Sequence, residues 1–302
     1  MGATPRLDTW LITYLGADDT PLNRAIGKFT LVAAVRRARK PGCKFDHILV
    51  LEGPEGTMKS TSIVVLAGIE NFSDQTILTE RDKEQQELMR GVWIFEIADL
   101  AGMKRSEVEK VKAFASRSHD RARPAYGRRR VDAPRRGILI GTTNEDEYLQ
   151  SQTGNRRFWP VETGQIDIDA LRRDRSQLWA EAAEVEASGI AVKLPEELWG
   201  DASAAQDERR QHDPWDDILA NTTGAVCPTK DGLTEQEWIK LTELLARLEI
   251  KPDRASPETY KRLKKVMKRL GWIKGKHYFG SGEQERGYWR PRDSKTLETA
   301  RQ

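Results

Sequence analysis

His47-Ile48-Leu49-Val50-Leu51-Glu52-Gly53-Pro54-Glu55-Gly56-Thr57-Met58-Lys59-Ser60 decides the fold. A short apolar run leads into a glycine-containing loop, and the loop ends in Lys-Ser at the start of a helical pattern. This is the order of a buried strand, a phosphate-cradling loop and a helix N-terminus. Gly53, Lys59 and Ser60 fill the first and last two positions of the G-x-x-x-x-G-K-[ST] pattern. Glycines let backbone N–H groups turn inward onto phosphate oxygens, assisted by the positive end of the helix. The span Gly53, Pro54, Glu55, Gly56, Thr57, Met58, Lys59, Ser60 and Thr61 is therefore the candidate binding loop for ATP. Lys59 is expected on the β- and γ-phosphates and Ser60 on Mg2+. Met58 stands where the second glycine belongs; Gly56 nearby is expected to supply flexibility.

Working outward, residues 7–39 have helical spacing, stopped by Pro41-Gly42. Residues 59–69 continue the loop as a helix. Val92-Trp93-Ile94-Phe95 is a second apolar run, ending in Glu96. Residues 106–116 suit a helix with Ser106 as N-cap and Glu109 three residues on. Gly137-Ile138-Leu139-Ile140-Gly141 is a third buried run, ending at Thr142-Thr143-Asn144, and 169–187 suits a helix closed by Gly189. Strands alternating with helices predict an α/β fold with a mostly parallel sheet covered on both faces. The expected organisation is an N-terminal helical region (1–45), a core (46–200), a linker or loose helix (201–220) and a small terminal module (221–302). In that module, helices over 234–248 and 257–270 precede a hairpin with its turn at Gly280-Ser281-Gly282, a pattern that suits a winged helix.

Composition sets limits. The 302 residues are 38% hydrophobic and 32% charged, an ordinary globular balance. No apolar run reaches the roughly 20 residues a membrane helix needs. The start has no basic-then-apolar signal, and Arg6 stands where an N-terminal acylation motif wants Ser or Thr. Cys43, Cys227 and four scattered histidines (His47, His119, His212, His277) form no ligand spacing. A cytoplasmic setting is expected, with no membrane partner. The net charge of +3 is uneven: residues 104–136 hold twelve Lys and Arg against four acids, a segment at +8 that leaves the remainder at −5. Charge gathered in this way points to a polyanion.

Further candidates follow from position. Glu96, at the end of a buried strand downstream of the loop, suits Mg2+ or its bound water; an acid there can also simply mark a strand end. Asp99 is the candidate for polarising the attacking water. Asn144 can orient that water, though Asn is also a common strand-ending turn residue. Arg156 and Arg157, in Thr153-Gly154-Asn155-Arg156-Arg157-Phe158-Trp159-Pro160, suit an arginine finger supplied across a subunit boundary, or an ion pair within one subunit. Within the basic segment, Arg121 to Arg130 suits a hairpin turning near Tyr126-Gly127. Lys112, Arg123, Tyr126, Arg128, Arg129 and Arg130 are the candidate DNA contacts, the arginines on phosphate and the tyrosine stacked on a base.

With these motifs in order, residues 7–220 resemble the virulence-associated E family, phage and mobile-element ATPases similar to superfamily 3 helicases within the AAA+ class. The likeness also draws on Phe45-Asp46, Trp93 to Leu100, Lys112-Ala113-Phe114, Asp120-Arg121, Arg123-Pro124 and Gln177-Leu178-Trp179-Ala180-Glu181. It implies a P-loop NTPase fold and a ring, most simply a hexamer, that couples ATP hydrolysis to movement along DNA in a bacterial host. It also implies a hairpin facing single-stranded DNA in the pore, where the basic segment falls. Many relatives carry a primase-polymerase domain ahead of the ATPase; here it is expected to be absent or on a separate chain. Two other classes compete: a non-enzymatic replication initiator or DNA-binding assembly factor, and a phosphotransferase acting on a small molecule.

Overall fold

A computed structural model describes residues 5–77, 80, 82–122, 131–149, 154–210, 213–228, 235–278 and 284–292. The chain divides into two compact units, Met1–Gln211 and His212–Gln302. The first opens with helices α1 (Trp10–Leu15) and α2 (Pro21–Arg39). Gly16, at φ 66°, ends α1. Thr20 caps α2 by accepting the Asn23 N–H at 3.1 Å, and Pro21 fits the first turn, where no N–H is needed. Three arginines in the last turn of α2 suit the negative end of its dipole. One of them, Arg37, is buried and donates to the carbonyls of Gly137 (2.8 Å) and Phe45 (2.7 Å), just ahead of two sheet strands. Burial pulls its pKa down to about 10.

Next come β1 (Ile48–Glu52), α3 (Lys59–Ala67), β2 (Phe72–Ser73), α4 (Asp82–Leu88), β3 (Ile94–Ile97) and α5 (Arg105–Ala115). They are followed by β4 (His119–Ala122), β5 (Val131–Pro134), β6 (Ile138–Thr143), β7 (Phe158–Glu162), α6 (Ile168–Ala187) and α7 (Trp199–Glu208). Five strands form one parallel sheet in the order β2-β3-β6-β1-β7. All five residues of β1 are buried. Leu49 and Leu51 pack with α1, α2, α3 and α6 on one face, while Ile48 and Val50 pack with α5 on the other. Burial on both faces is why β1, β3 and β6 open as apolar runs with no polar alternation, the polar residues falling toward their carboxyl ends.

Several local expectations change. α5 begins earlier than expected. Its N-cap is Lys104, whose N–H is taken by Glu107 at 2.6 Å, so Ser106 lies inside the first turn and the capping acid is Glu107, not Glu109. β4 and β5 pair antiparallel as the two legs of the expected basic hairpin; its turn, 123–130, lies outside the described residues. β7 was not foreseen. Its apolar side chains sit in the Arg-Arg-aromatic motif, and its place beside β1 is set by tertiary pairing. Residues expected to be linker or loose helix form the regular helix α7 and, in the second unit, α8.

That second unit contains α8 (Pro214–Ala220), β8 (Ala225–Pro228), β9 (Glu235–Lys240), α9 (Leu241–Arg247), α10 (Pro257–Arg269), β10 (Ile273–Tyr278) and β11 (Gln284–Pro291). Its sheet is antiparallel, in the order β10-β11-β9-β8. The helix expected over 234–248 is half strand: only its second part is α9. Pairing on both edges, to β8 and β11, holds 235–240 extended, with Trp238 and Ile239 on opposite faces; cross-strand packing outweighs local propensity there. The strands of the expected hairpin are β10 and β11, and its turn, 279–283, lies outside the described residues. Ile239 and Tyr288 share one core with Leu263, Val266 and Met267 of α10. Among the described residues no helix is long and apolar enough to cross a membrane.

Candidate active site

β6 lies between β1 and β3, so three adjacent strands deliver their carboxyl ends to one edge of the sheet, the edge where α/β folds bind ligands. The quoted loop follows β1, Glu96 lies in β3 and Asn144 follows β6. Gly53 has φ 144° and lies against Thr163. A Cβ there would meet Thr163 Oγ1 at 2.9 Å and its carbonyl at 3.2 Å, so only glycine fits. Met58 adopts φ 67°, ψ 21°, the left-handed conformation a glycine takes without strain, and directly precedes α3. The left-handed step thus falls on Met58 itself. Gly56, at φ 78°, adds a second one and does not replace it.

Lys59 is buried within the curve of the loop. Its Nζ donates to the carbonyls of Gly53 and Pro54 (both 2.6 Å) and to Thr57 Oγ1 (3.2 Å). Burial lowers its pKa from the ordinary lysine value, opposed by the charge of Glu55. One helical residue on, Ser60 Oγ donates to Glu96 Oε1 at 2.6 Å, and Thr142 Oγ1 from β6 donates to the same oxygen at 2.8 Å. Glu96 Oε2 is buried with no hydrogen-bond partner among the described residues. A buried, unpaired carboxylate oxygen is costly. A hydroxyl that gives its only proton to Glu96 keeps its lone pairs for a cation. Ser60 and Glu96 therefore fit Mg2+, which takes few protein oxygens and completes its shell with water and phosphate. Among the described residues there is no cluster of three His, Cys, Asp or Glu that would hold a metal unaided.

Asp99 faces the same cleft, in a left-handed conformation (φ 49°, ψ 59°), with its side chain accepting the Gly102 N–H at 3.3 Å. The cleft, roughly 710 Å3, is lined by Thr57, Lys59, Ser60, Asp99, Thr142 and Asn144 among others, a volume suited to a nucleotide. Asn144 is exposed at its rim. Glu55, Gly56, Met58 and Thr61 complete the loop side.

The two arginines differ. Arg157 is held within its own unit: Nε donates to Ser116 Oγ at 2.9 Å and lies 3.5 Å from Asp46 Oδ2. Arg156 is exposed, and its side chain makes no ion pair among the described residues. Its backbone is fixed, because the Arg156 carbonyl meets His47 Nδ1 at 3.1 Å and the His47 ring stacks on Trp159 at 4.2 Å. Burial lowers the His47 pKa below its ordinary value, and because a carbonyl oxygen can only accept, Nδ1–H is the donor. Lys112, expected on DNA, is corrected: it is buried, and Nζ is bonded to Asn155 Oδ1 (3.1 Å) and Glu109 Oε1 (3.2 Å). That pairing fixes the turn ahead of Arg156 and leaves no route to a phosphate. Arg123, Tyr126, Arg128, Arg129 and Arg130 lie outside the described residues.

Glu52 is not among the residues that the sequence motifs single out. This last residue of β1 is buried, accepts the Tyr148 hydroxyl at 2.8 Å, and takes Arg209, just beyond α7, on both oxygens at 3.0 Å. Burial pushes its carboxyl up, against the opposing pull of Arg209 and Tyr148. Tyr148 is itself raised well above the ordinary tyrosine value by burial and by the Glu52 charge. The signal was an acid closing an apolar strand, which needs a partner; nothing in the pattern says that the partner lies 157 residues on.

The virulence-associated protein E-like domain family matches residues 2–211. No curated protein matches the chain. Among solved structures, the apo structure of the NrS-1 C-terminal region (305–718) is similar at 11% identity, over 95% of this chain and 76% of that one, with a TM-score of 0.49. An A-form apo structure of that region is similar at 13% identity over the same shares, with a TM-score of 0.48.

Proposed function

The chain belongs to the virulence-associated protein E-like domain family, and from that premise we propose that it is a P-loop ATP hydrolase. It works in a ring, most simply a hexamer, as a helicase or translocase on DNA during replication of a phage or mobile element. The observation that carries this reading is Glu96: one oxygen gathers Ser60 and Thr142, the other is buried without a partner among the described residues, and Ser60 opens the helix at the loop that encloses Lys59.

In this reading Lys59 leaves the loop carbonyls for the β- and γ-phosphate oxygens, and the loop N–H groups hold the remaining phosphate charge. Mg2+, held by Ser60 with Glu96 behind it, would offset charge on the phosphates as the terminal bond breaks. Asn144 orients the attacking water from the rim, and Asp99 or Glu96 accepts its proton. Arg156, whose side chain has no ion pair among the described residues, reaches the γ-phosphate of a neighbouring subunit, while Arg157 holds the segment in place. The basic turn carrying Arg123, Tyr126 and Arg128 to Arg130 faces single-stranded DNA in the pore. The second unit is a winged-helix-like module, and a primase-polymerase supplies primers.

The test is hydrolysis with and without single-stranded DNA. We expect stimulation by DNA, and loss of turnover by at least 100-fold in Lys59→Ala and in Glu96→Gln. The glutamine keeps an acceptor for Ser60 and Thr142, so the fold stands. Equal rates with and without DNA, or turnover surviving in Lys59→Ala, would sink the motor. The strain at Met58 favours a second reading, a replication initiator that holds nucleotide without turnover. Tight nucleotide binding with no hydrolysis in the wild type would select it.

A further inference from the structure

α10 carries its core residues, Leu263, Val266 and Met267, on one side. Lys261, Lys264 and Lys268 recur at three- and four-residue spacing on the other side, so they form one exposed stripe. The arginines of the same helix are neutralised. Arg262 is bidentate on Asp213 (2.7 and 3.0 Å), stacked over Trp215 at 4.0 Å, and Arg269 is bidentate on Asp216 (2.5 and 3.0 Å). The three lysines make no ion pair among the described residues. Glu258, in the first turn, interacts electrostatically with Lys261 at one end of the stripe.

The adjoining ribbon continues the pattern. Lys276 of β10 stands directly opposite Arg286 of β11, and Lys274 is two residues back on the same face. All three are exposed. Their face is the one that carries Tyr288 and Ile239 into the core with α10, so the basic row of the ribbon lies on the side of the sheet that α10 covers. The helix that carries the stripe packs in one core with the ribbon that carries the row, so the two together offer a cationic surface.

We infer that this surface is a second nucleic-acid interface, which takes the phosphate backbone of duplex DNA independently of the nucleotide cleft. A rigid helix flanked by a two-stranded ribbon matches the dimensions of a duplex groove, and lysine heads on long stems suit phosphate contacts. Single-stranded DNA needs successive aromatic platforms, and among the described residues Tyr278 is the exposed large aromatic on this face. A membrane surface needs apolar residues to insert beside the charge, and those of α10 are spent in the core. The inference goes beyond the motor reading and does not depend on it.

The experiment is fluorescence anisotropy of the full chain with a labelled 20-base-pair duplex, the matching single strand and phosphatidylserine vesicles, over a salt series. The variant is K264A/K268A/K276A, with K264Q/K268Q/K276Q to preserve stem length, each also made with R128A/R129A to remove the basic hairpin's share. We expect duplex affinity to fall at least tenfold at low salt. The slope of log K against log salt should drop by about 2 to 3, at roughly 0.9 for each phosphate that is no longer neutralised. Compared with the chain that carries the same residues at 128 and 129, the lysine substitutions should leave single-strand affinity and ATP hydrolysis without DNA the same. Unchanged duplex affinity and slope would overturn the inference. So would an equal loss for duplex and single strand, or lysine-dependent binding to vesicles alone. Failure of hydrolysis in the wild type would bear only on the motor reading.

Discussion

Met58 holds a backbone conformation that costs a side-chain-bearing residue roughly 1–2 kcal/mol. The strain persists because Lys59 and Ser60 must start α3 where the loop closes. Met58 is also 56% exposed, so its side chain recovers little by packing. We expect Met58→Gly to raise unfolding stability by about 1 kcal/mol, less the backbone entropy of a new glycine. Met58→Ala should leave it nearly unchanged, because alanine carries the same Cβ. Urea denaturation checks both, and a destabilised Met58→Gly would show that the methionine side chain holds the loop. At this scale the sequence was informative where chemistry needs a residue type at a fixed spacing: Lys59, Ser60 and Glu96 come together. It could not choose between Arg156 and Arg157, because the choice rests on Asp46 and Ser116 being near one and not the other. Nor could it show that Lys112 turns inward to Asn155.

Elements were legible in proportion to how local their causes are. β1, β3 and β6 are apolar runs because both faces are buried, and that is visible in the chain itself. β9 was hidden because its extended state is imposed by β8 and β11, and β7 because its aromatics belong to a motif that reads as chemistry. The contact between α8 and α10 is similarly non-local. Asp213 caps α8 by accepting the Trp215 N–H at 3.0 Å and clamps α10 through Arg262. Burial pushes its carboxyl up, but Arg262, the Trp215 N–H and the nearby Arg269 outweigh that and hold it below the usual range. A carboxyl held low in the fold adds stability that is fully present above its unfolded value, near 3.9, and drains as pH falls through the folded one. We therefore expect the wild type to lose more stability than Asp213→Asn between pH 5 and about 2, with the variant roughly 1 kcal/mol weaker at pH 7. Urea titrations at several pH values read this directly; parallel curves for the two proteins would refute it.

For the molecule as a whole, the proposed ring makes the active site a shared one: Lys59 from one subunit and Arg156 from the next. That gives an outcome no monomeric enzyme produces. Lys59→Ala and Arg156→Ala should each be inactive alone. Mixed subunits should regain measurable hydrolysis, because some interfaces then pair an intact loop with an intact arginine. Absence of any recovery would place Arg156 within its own subunit's chemistry. Arg157→Ala should not complement in this way, since its partners are internal.

The tie between Glu52 and Arg209 also sets where the chain can be cut. The segment that ends α7 and runs on through Arg209 looks dispensable from the sequence, as polar surface beyond the sheet. Yet it closes the strand that opens into the phosphate loop, and it meets the segment after Asn144 through backbone N–H groups of Tyr148 and Leu149 on the Arg209 carbonyl. A fragment ending near residue 200 would strand the Glu52 carboxylate in the interior without its cation, a defect of about 3–5 kcal/mol, and the acid would take up a proton instead. Excision of a minimal first unit should therefore keep the chain through Arg210.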